Sequence, residues 1–215
     1  MKRHVAIAVL IASMVPVVGT AITAQSGQQA RARRYIVMKQ NDTVSVEQFT
    51  RTATRLTGDM RVQGHRISYN ARLGPRSSMP RMDINVAAKG NEPASGVSVT
   101  AAGRQAVVRT TAPRDSLVGN YAIDAIPYVN PSIAMLEQVV MRARGAAGAR
   151  VEVPLLVIAG RAQVVNAVVT RAPADSAIVT LGNTVLRLAV DREGRITGGS
   201  NPAQRVTIRL LPNGR

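Results

Sequence analysis

Residues 176–191 read SAIVTLGNTVLRLAVD. Two β-favouring runs, Ser176 to Leu181 and Thr184 to Asp191, flank Gly182 and Asn183. A glycine–asparagine pair between such runs is a two-residue hairpin turn, because it tolerates the positive φ that a tight turn demands. Leu186, Leu188 and Val190 alternate with Arg187 and Ala189, so one face of the second strand meets a core and the other meets water.

The same grammar extends in both directions. Downstream, Val206, Ile208 and Leu210 alternate with Arg205, Thr207 and Arg209. Asp191, Glu193 and Gly194 read as another turn, since the following Arg195 and Ile196 do not continue a calcium-loop spacing. Upstream, Arg150 to Ala159 and Ala162 to Arg171 complete an antiparallel meander. Near the start, Tyr35 to Lys39 and Thr43 to Thr50 form an opening hairpin over Gln40, Asn41 and Asp42. The glycosylation-like triplet Asn41, Asp42 and Thr43 is read there as turn chemistry. Arg55 to Met60, His65 to Leu73, Met82 to Ala87, Gly96 to Ala101 and Gln105 to Thr110 are further strands. About a dozen strands result, with no internal repeat.

A single helix interrupts them. Asn130 reads as its N-cap and Pro131 as its first residue, and it runs to Arg144 before Gly145. Ile133, Leu136, Val140 and Ala143 make a 3.6-period stripe, while Arg142 and Arg144 suit the negative end of the helix dipole. The expected fold class is therefore mainly β: an antiparallel curved sheet or partly open barrel with one amphipathic helix packed on it.

Composition agrees. The 215 residues are 46% hydrophobic but only 2% aromatic, so the core is built from aliphatic side chains and methionine, a composition that suits strands. The basic excess is almost all arginine, with only Lys2, Lys39 and Lys89 as lysines, which matches the codon bias of a GC-rich genome. There is no cysteine, which excludes disulfides, thiolate metal sites, cysteine nucleophiles and a lipid-modified cysteine.

The first residues have a different character. Lys2 and Arg3 precede the uncharged apolar run Val5 to Val18, which Pro16 and Gly19 break before Thr20, Ala21, Thr23 and Ala24. That is the pattern of an export signal over residues 1–24, cleaved after Ala24 or after Ala21; retention as a membrane anchor is the rival reading. Loss of Lys2 and Arg3 lowers the formal charge from +16 to +14. Residues 25–34, with Arg31, Arg33 and Arg34, read as a basic flexible linker. Residues 35–215 read as one β-rich domain, with halves at 35–116 and 117–215. The expected location is outside a bacterial cytoplasm, in the periplasm or secreted, with no transmembrane helix once the signal is removed.

Signs of catalysis are sparse. After the signal, His65 is the only histidine, and a triad with Ser68, Asp59 or Asp83 is open only by conjecture. Its place after Gly64 at a strand start suits a structural residue better than a general base. No nucleophile elbow, zinc-protease helix, phosphate loop or dinucleotide fingerprint occurs, so no catalytic residue, metal ligand or cofactor is expected. Nucleic acid is a poor partner, because five dispersed aromatics offer no stacking platform.

The size, the export signal, the opening hairpin at Tyr35 to Thr50 and the strand-rich order with one packed helix resemble exported half-barrel proteins of the lipoprotein-carrier type. The resemblance spans 35–215 and departs in placing the helix late, at 130–144, instead of at the mature N-terminus. It implies a non-enzymatic binding protein whose curved sheet and helix enclose an apolar pocket for a lipid-like or anionic amphiphilic ligand. Ile133, Leu136 and Val140 are the candidate lining residues, equally readable as core. The alternatives are an envelope module docking on anionic lipid or another envelope component through its basic face, and a hydrolase.

Overall fold

The computed structural model describes residues 32–90, 93–102, 105–111, 114–119, 124–159, 161–172 and 175–212. The export segment 1–24 and Arg31 lie outside them. The first half carries β1 (Arg33–Lys39), β2 (Asp42–Arg51), β3 (Arg55–Val62), β4 (His65–Arg72), β5 (Arg81–Val86), β6 (Ser95–Ala102), β7 (Gln105–Thr111) and β8 (Arg114–Gly119). The second half carries β9 (Ile126–Tyr128), α1 (Ile133–Gly145), β10 (Arg150–Ala159), β11 (Arg161–Arg171), β12 (Ser176–Leu181), β13 (Thr184–Val190), β14 (Ile196–Asn201) and β15 (Val206–Leu211).

All fifteen strands join one sheet, in the order β8-β7-β6-β5-β4-β3-β2-β1-β15-β14-β13-β12-β11-β10-β9. Each half is a meander of antiparallel neighbours, apart from the parallel pair β9–β10. The first and last strands, β1 and β15, pair antiparallel in the middle and stitch the halves together. The break between the halves falls after Gly119, so β8 belongs wholly to the first meander; a division at Ser116 would cut it.

A sheet this wide does not stay flat. Leu155 faces the main core, whereas its neighbour Leu156 points the other way and packs with Val99 of β6 and Val108 of β7. Val99 lies opposite Met82 on β5 and shares its inward face. The inner face of one end of the sheet therefore covers the outer face of β10 near the other end. No ladder joins β8 to β9, and the architecture is an open roll whose ends overlap through side chains.

The helix runs inside this roll against β9, β10 and β11. Its first two turns, residues 133–140, are buried on every side, including Glu137 and Gln138. An amphipathic stripe is too narrow a description, because the helix is wrapped by the sheet and its polar positions are buried as well. Its N-cap is Ser132, whose hydroxyl accepts from the Met135 amide at 3.3 Å. Asn130 and Pro131, joined by a cis peptide bond, form the turn before it, and the start lies two residues later than the Asn-Pro pair suggests. At the other end, Arg171 Nη2 of β11 donates to the carbonyls of Ala143 at 2.8 Å, Arg144 at 3.0 Å and Ala146. A cation thus meets the last carbonyls at the negative pole of the helix.

The first strand begins at Arg33, earlier than a linker reaching Arg34 allows. Arg33 is held in place because its guanidinium finds a buried partner, Glu137 of the helix, at 2.6 Å.

Candidate functional site

The helix starts partway along the roll, and the space beyond its N-terminus is an open cavity of about 540 Å³. Ile133 and Leu136 form its helical wall, and Val37, Val44, Leu186 and Ile208 line it from the sheet. Gln63, Asn130, Thr184, Asn201 and Gln204 contribute polar groups from the turns and strand ends on that side. Among the described residues no charged side chain lines the cavity. Its volume falls in the range of small-molecule sites, and its mostly aliphatic walls favour an apolar guest.

A β-bulge shapes the wall. Val37 pairs with Ser45 and Met38 with Thr43, which leaves Val44 as the extra residue of β2. Ser45, Glu47 and Phe49 then take the buried positions of the strand, while Val44 turns into the cavity.

Behind the cavity a buried carboxylate fixes the helix start. Glu47 accepts from Tyr69 Oη at 2.7 Å, Ser132 Oγ at 2.7 Å, the Ile133 amide at 2.5 Å and the Ala134 amide at 3.3 Å. A negative group thereby occupies the positive pole of the helix and satisfies two of its orphan amides. Burial pushes the Glu47 carboxyl above its ordinary range, against the opposing pull of the bonds from Ser132, Tyr69, Ile133 and Ala134. Burial and the Glu47 charge together raise the Tyr69 phenol.

A second polar knot lies one turn on. Glu137 accepts from Arg33 Nη1 at 2.6 Å and from the Ile196 amide at 3.0 Å. The Ile196 carbonyl accepts from Arg33 Nη2 at 2.6 Å and Tyr35 Oη at 2.5 Å. The Arg33 guanidinium sits 5.4 Å from the Tyr35 ring centroid, and Tyr35 stacks on Phe49 with centroids 5.6 Å apart. Burial raises the Glu137 carboxyl, and Arg33 and Arg51 counter it. The two knots bind α1 to β1, β2, β4 and β14, so the cavity floor is rigidly placed.

Of the residues expected to line a pocket, Ile133 and Leu136 do so. Val140 does not: one turn further along, it borders a separate cavity of about 160 Å³ with Ala143, Val169 and Ala177. The strand walls were partly legible, since Leu186 and Ile208 alternate inward; Val44 was hidden by the bulge and the amides by their place in turns and at a strand end.

The pairing register separates the conjectured triad. His65 falls on the inward-facing set with Ile67 and Tyr69, whereas Ser68, Asp59 and Asp83 fall on the outward set. Asp59 lies 3.9 Å from Arg66, and Asp83 lies 3.2 Å from Arg81. The buried carboxylates Glu47 and Glu137 do not line the cavity. Asp191 closes its own turn, accepting at Oδ1 from the Arg195 amide at 2.8 Å, so the hairpin reading holds. No group of three or more metal-ligating side chains occurs among the described residues, and no helix among them is long and apolar enough to cross a membrane.

No protein-family model matches the sequence, and no curated protein is similar to it. Among solved structures the chain is similar to a DUF1089 family protein from Pseudomonas aeruginosa, at a TM-score of 0.59 and 16% identity over 76% of this chain and 91% of that one. At that identity the likeness is one of fold: a second sequence, almost unrelated residue by residue, follows the same architecture.

Proposed function

We propose that this chain is a non-enzymatic binding protein that takes the apolar part of an amphiphile into the cavity beyond the N-terminus of α1. It does so outside the cytoplasmic membrane, reached through the export signal in residues 1–24. The observation that carries the reading is the cavity of about 540 Å³ walled by valine, leucine and isoleucine. The uncharged lining argues that the guest's polar end meets the amides of Gln63, Asn130, Asn201 and Gln204 instead of an arginine.

The test is titration of the exported, detergent-free protein with a dansylated fatty acid, with native and denaturing mass spectra of the same preparation. A saturable blue-shifted signal at one probe per chain, displaced by unlabelled amphiphiles, is expected. Uncharged amphiphiles should compete at least as well as anionic ones. Linear, non-saturating fluorescence would overturn the reading.

A further inference from the structure

The outer face carries a row of like charges. Arg55 of β3 lies directly opposite Arg72 of β4, and Arg72 lies directly opposite Arg81 of β5. Leu56, Ala71 and Met82 beside them face the core, so the three arginines share the outward face, and all three are exposed. Neighbouring strands are about 4.8 Å apart, which crowds three guanidinium groups into a line across about 10 Å. Like charges placed directly opposite each other cost stability. Among the described residues only Asp83 answers them, 3.2 Å from Arg81, and neither Arg55 nor Arg72 has a carboxylate at ion-pair distance.

The turn that joins β4 to β5 packs on α1 and stands apart from the row. Exposed Arg76 sits on the short 3₁₀ turn Pro75–Ser77 between β4 and β5, and Arg142 of α1 holds that turn by donating to the Ser77 carbonyl at 3.1 Å.

We propose that Arg55, Arg72 and Arg81 form a docking surface for the phosphates of an anionic lipid bilayer. Guanidinium groups pair with phosphate oxygens in a forked geometry, and a phosphate surface would neutralise a row that the protein leaves uncompensated. One observation favours a bilayer over a nucleic acid. The described aromatic side chains, Tyr35, Phe49, Tyr69 and Tyr128, are all buried, so no base can stack on them. The cavity opens at the end of the roll opposite the row, where β1 and β3 finish, and docking leaves its mouth facing away from the lipid. The surface and the cavity share no residue, so either can fail alone.

The experiment is co-sedimentation of the exported protein with vesicles of phosphatidylcholine, with and without phosphatidylglycerol. Two charge-matched triple variants are compared: Arg55→Gln, Arg72→Gln and Arg81→Gln on the row, and Arg61→Gln, Arg66→Gln and Arg205→Gln at the cavity end. Equal unfolding midpoints show that both are folded. The expected result is binding only to phosphatidylglycerol vesicles, weakening as salt rises. The row variant should bind on the order of a hundredfold more weakly, at about 1 kcal/mol per arginine, and the control triple should bind nearly as wild type. Equal losses in the two triples would assign the attraction to net charge and overturn the proposal. So would equal binding to neutral vesicles, or displacement from vesicles by a short single-stranded oligonucleotide.

Discussion

Gly58 stands directly opposite Tyr69, and a Cβ on Gly58 would lie 2.5 Å from Tyr69 Oη, 2.6 Å from the Gln48 carbonyl oxygen and 2.7 Å from Phe49 Cβ. The absent side chain is what lets the phenol reach Glu47. Gly58→Ala is expected to lower stability by about 1–3 kcal/mol, read as the denaturant midpoint at unchanged slope. In a Tyr69→Phe background the cost should shrink in part, because the phenol oxygen is gone while the Gln48 carbonyl and Phe49 Cβ still crowd the site. Additive costs would show that the two positions are not coupled.

Removing the Glu47 carboxylate strands four donors. Glu47→Ala should cost about 3 kcal/mol or more, since buried unpaired donors retain their full desolvation penalty. Amide exchange at Ile133 and Ala134 should accelerate along with the loss, and unchanged exchange would contradict the anchoring role.

Glu47 also has a pH signature. Its carboxyl is held above the ordinary value of 4.5, so folding takes up a proton between that value and the raised one. The stability it lends is complete below 4.5 and is lost as pH rises through the raised value. Across that window the wild-type unfolding midpoint should fall more steeply with pH than that of Glu47→Gln. Parallel profiles would mean that Glu47 titrates alike in both states.

The cavity can be filled without disturbing the two polar knots. Val206 is half-buried at its wall, so Val206→Trp should cut affinity for the dansylated fatty acid at least tenfold while changing stability by less than about 1.5 kcal/mol. Undiminished affinity would place the probe elsewhere.

Arg171 is the C-terminal counterpart of Glu47. Arg171→Ala should cost about 1 kcal/mol, and Arg171→Lys should restore part of it, because a point charge still meets the helix pole but cannot reach three carbonyls at once. Full rescue by lysine would assign the effect to charge alone.

Strands whose side chains alternate were legible in the sequence, from the hairpin over Gly182 and Asn183 to Met82, Ile84 and Val86. Strand β14 was not, because its ITGGSN carries one apolar residue and two glycines, and its place is set by neighbours on both sides. Strand β9 is three residues long and exists by pairing with β10. The helix was legible as an element but its surroundings were not: Glu137 and Gln138 look like a wetted face until the sheet closes round them. Glu47 carries no local signal, since its partners lie 22 to 87 residues away. The cavity follows from the bulge at Val44 and the late helix start at Ser132, both products of tertiary pairing.

The pairing of β1 with β15 also sets an order in time. A chain made from its N-terminus presents β1 first, and β2 to β8 can zip onto it one hairpin after another. The other side of β1 waits until Val206–Leu211 has appeared, about 170 residues later, so the seam of the sheet is the last ladder to close. Until then β1 is an edge, with a row of unpaired backbone groups open to any strand that meets it. Arg34, at its outward-facing start, and Lys39, at its end, put charge on that temporary edge where wrong partners would otherwise add on.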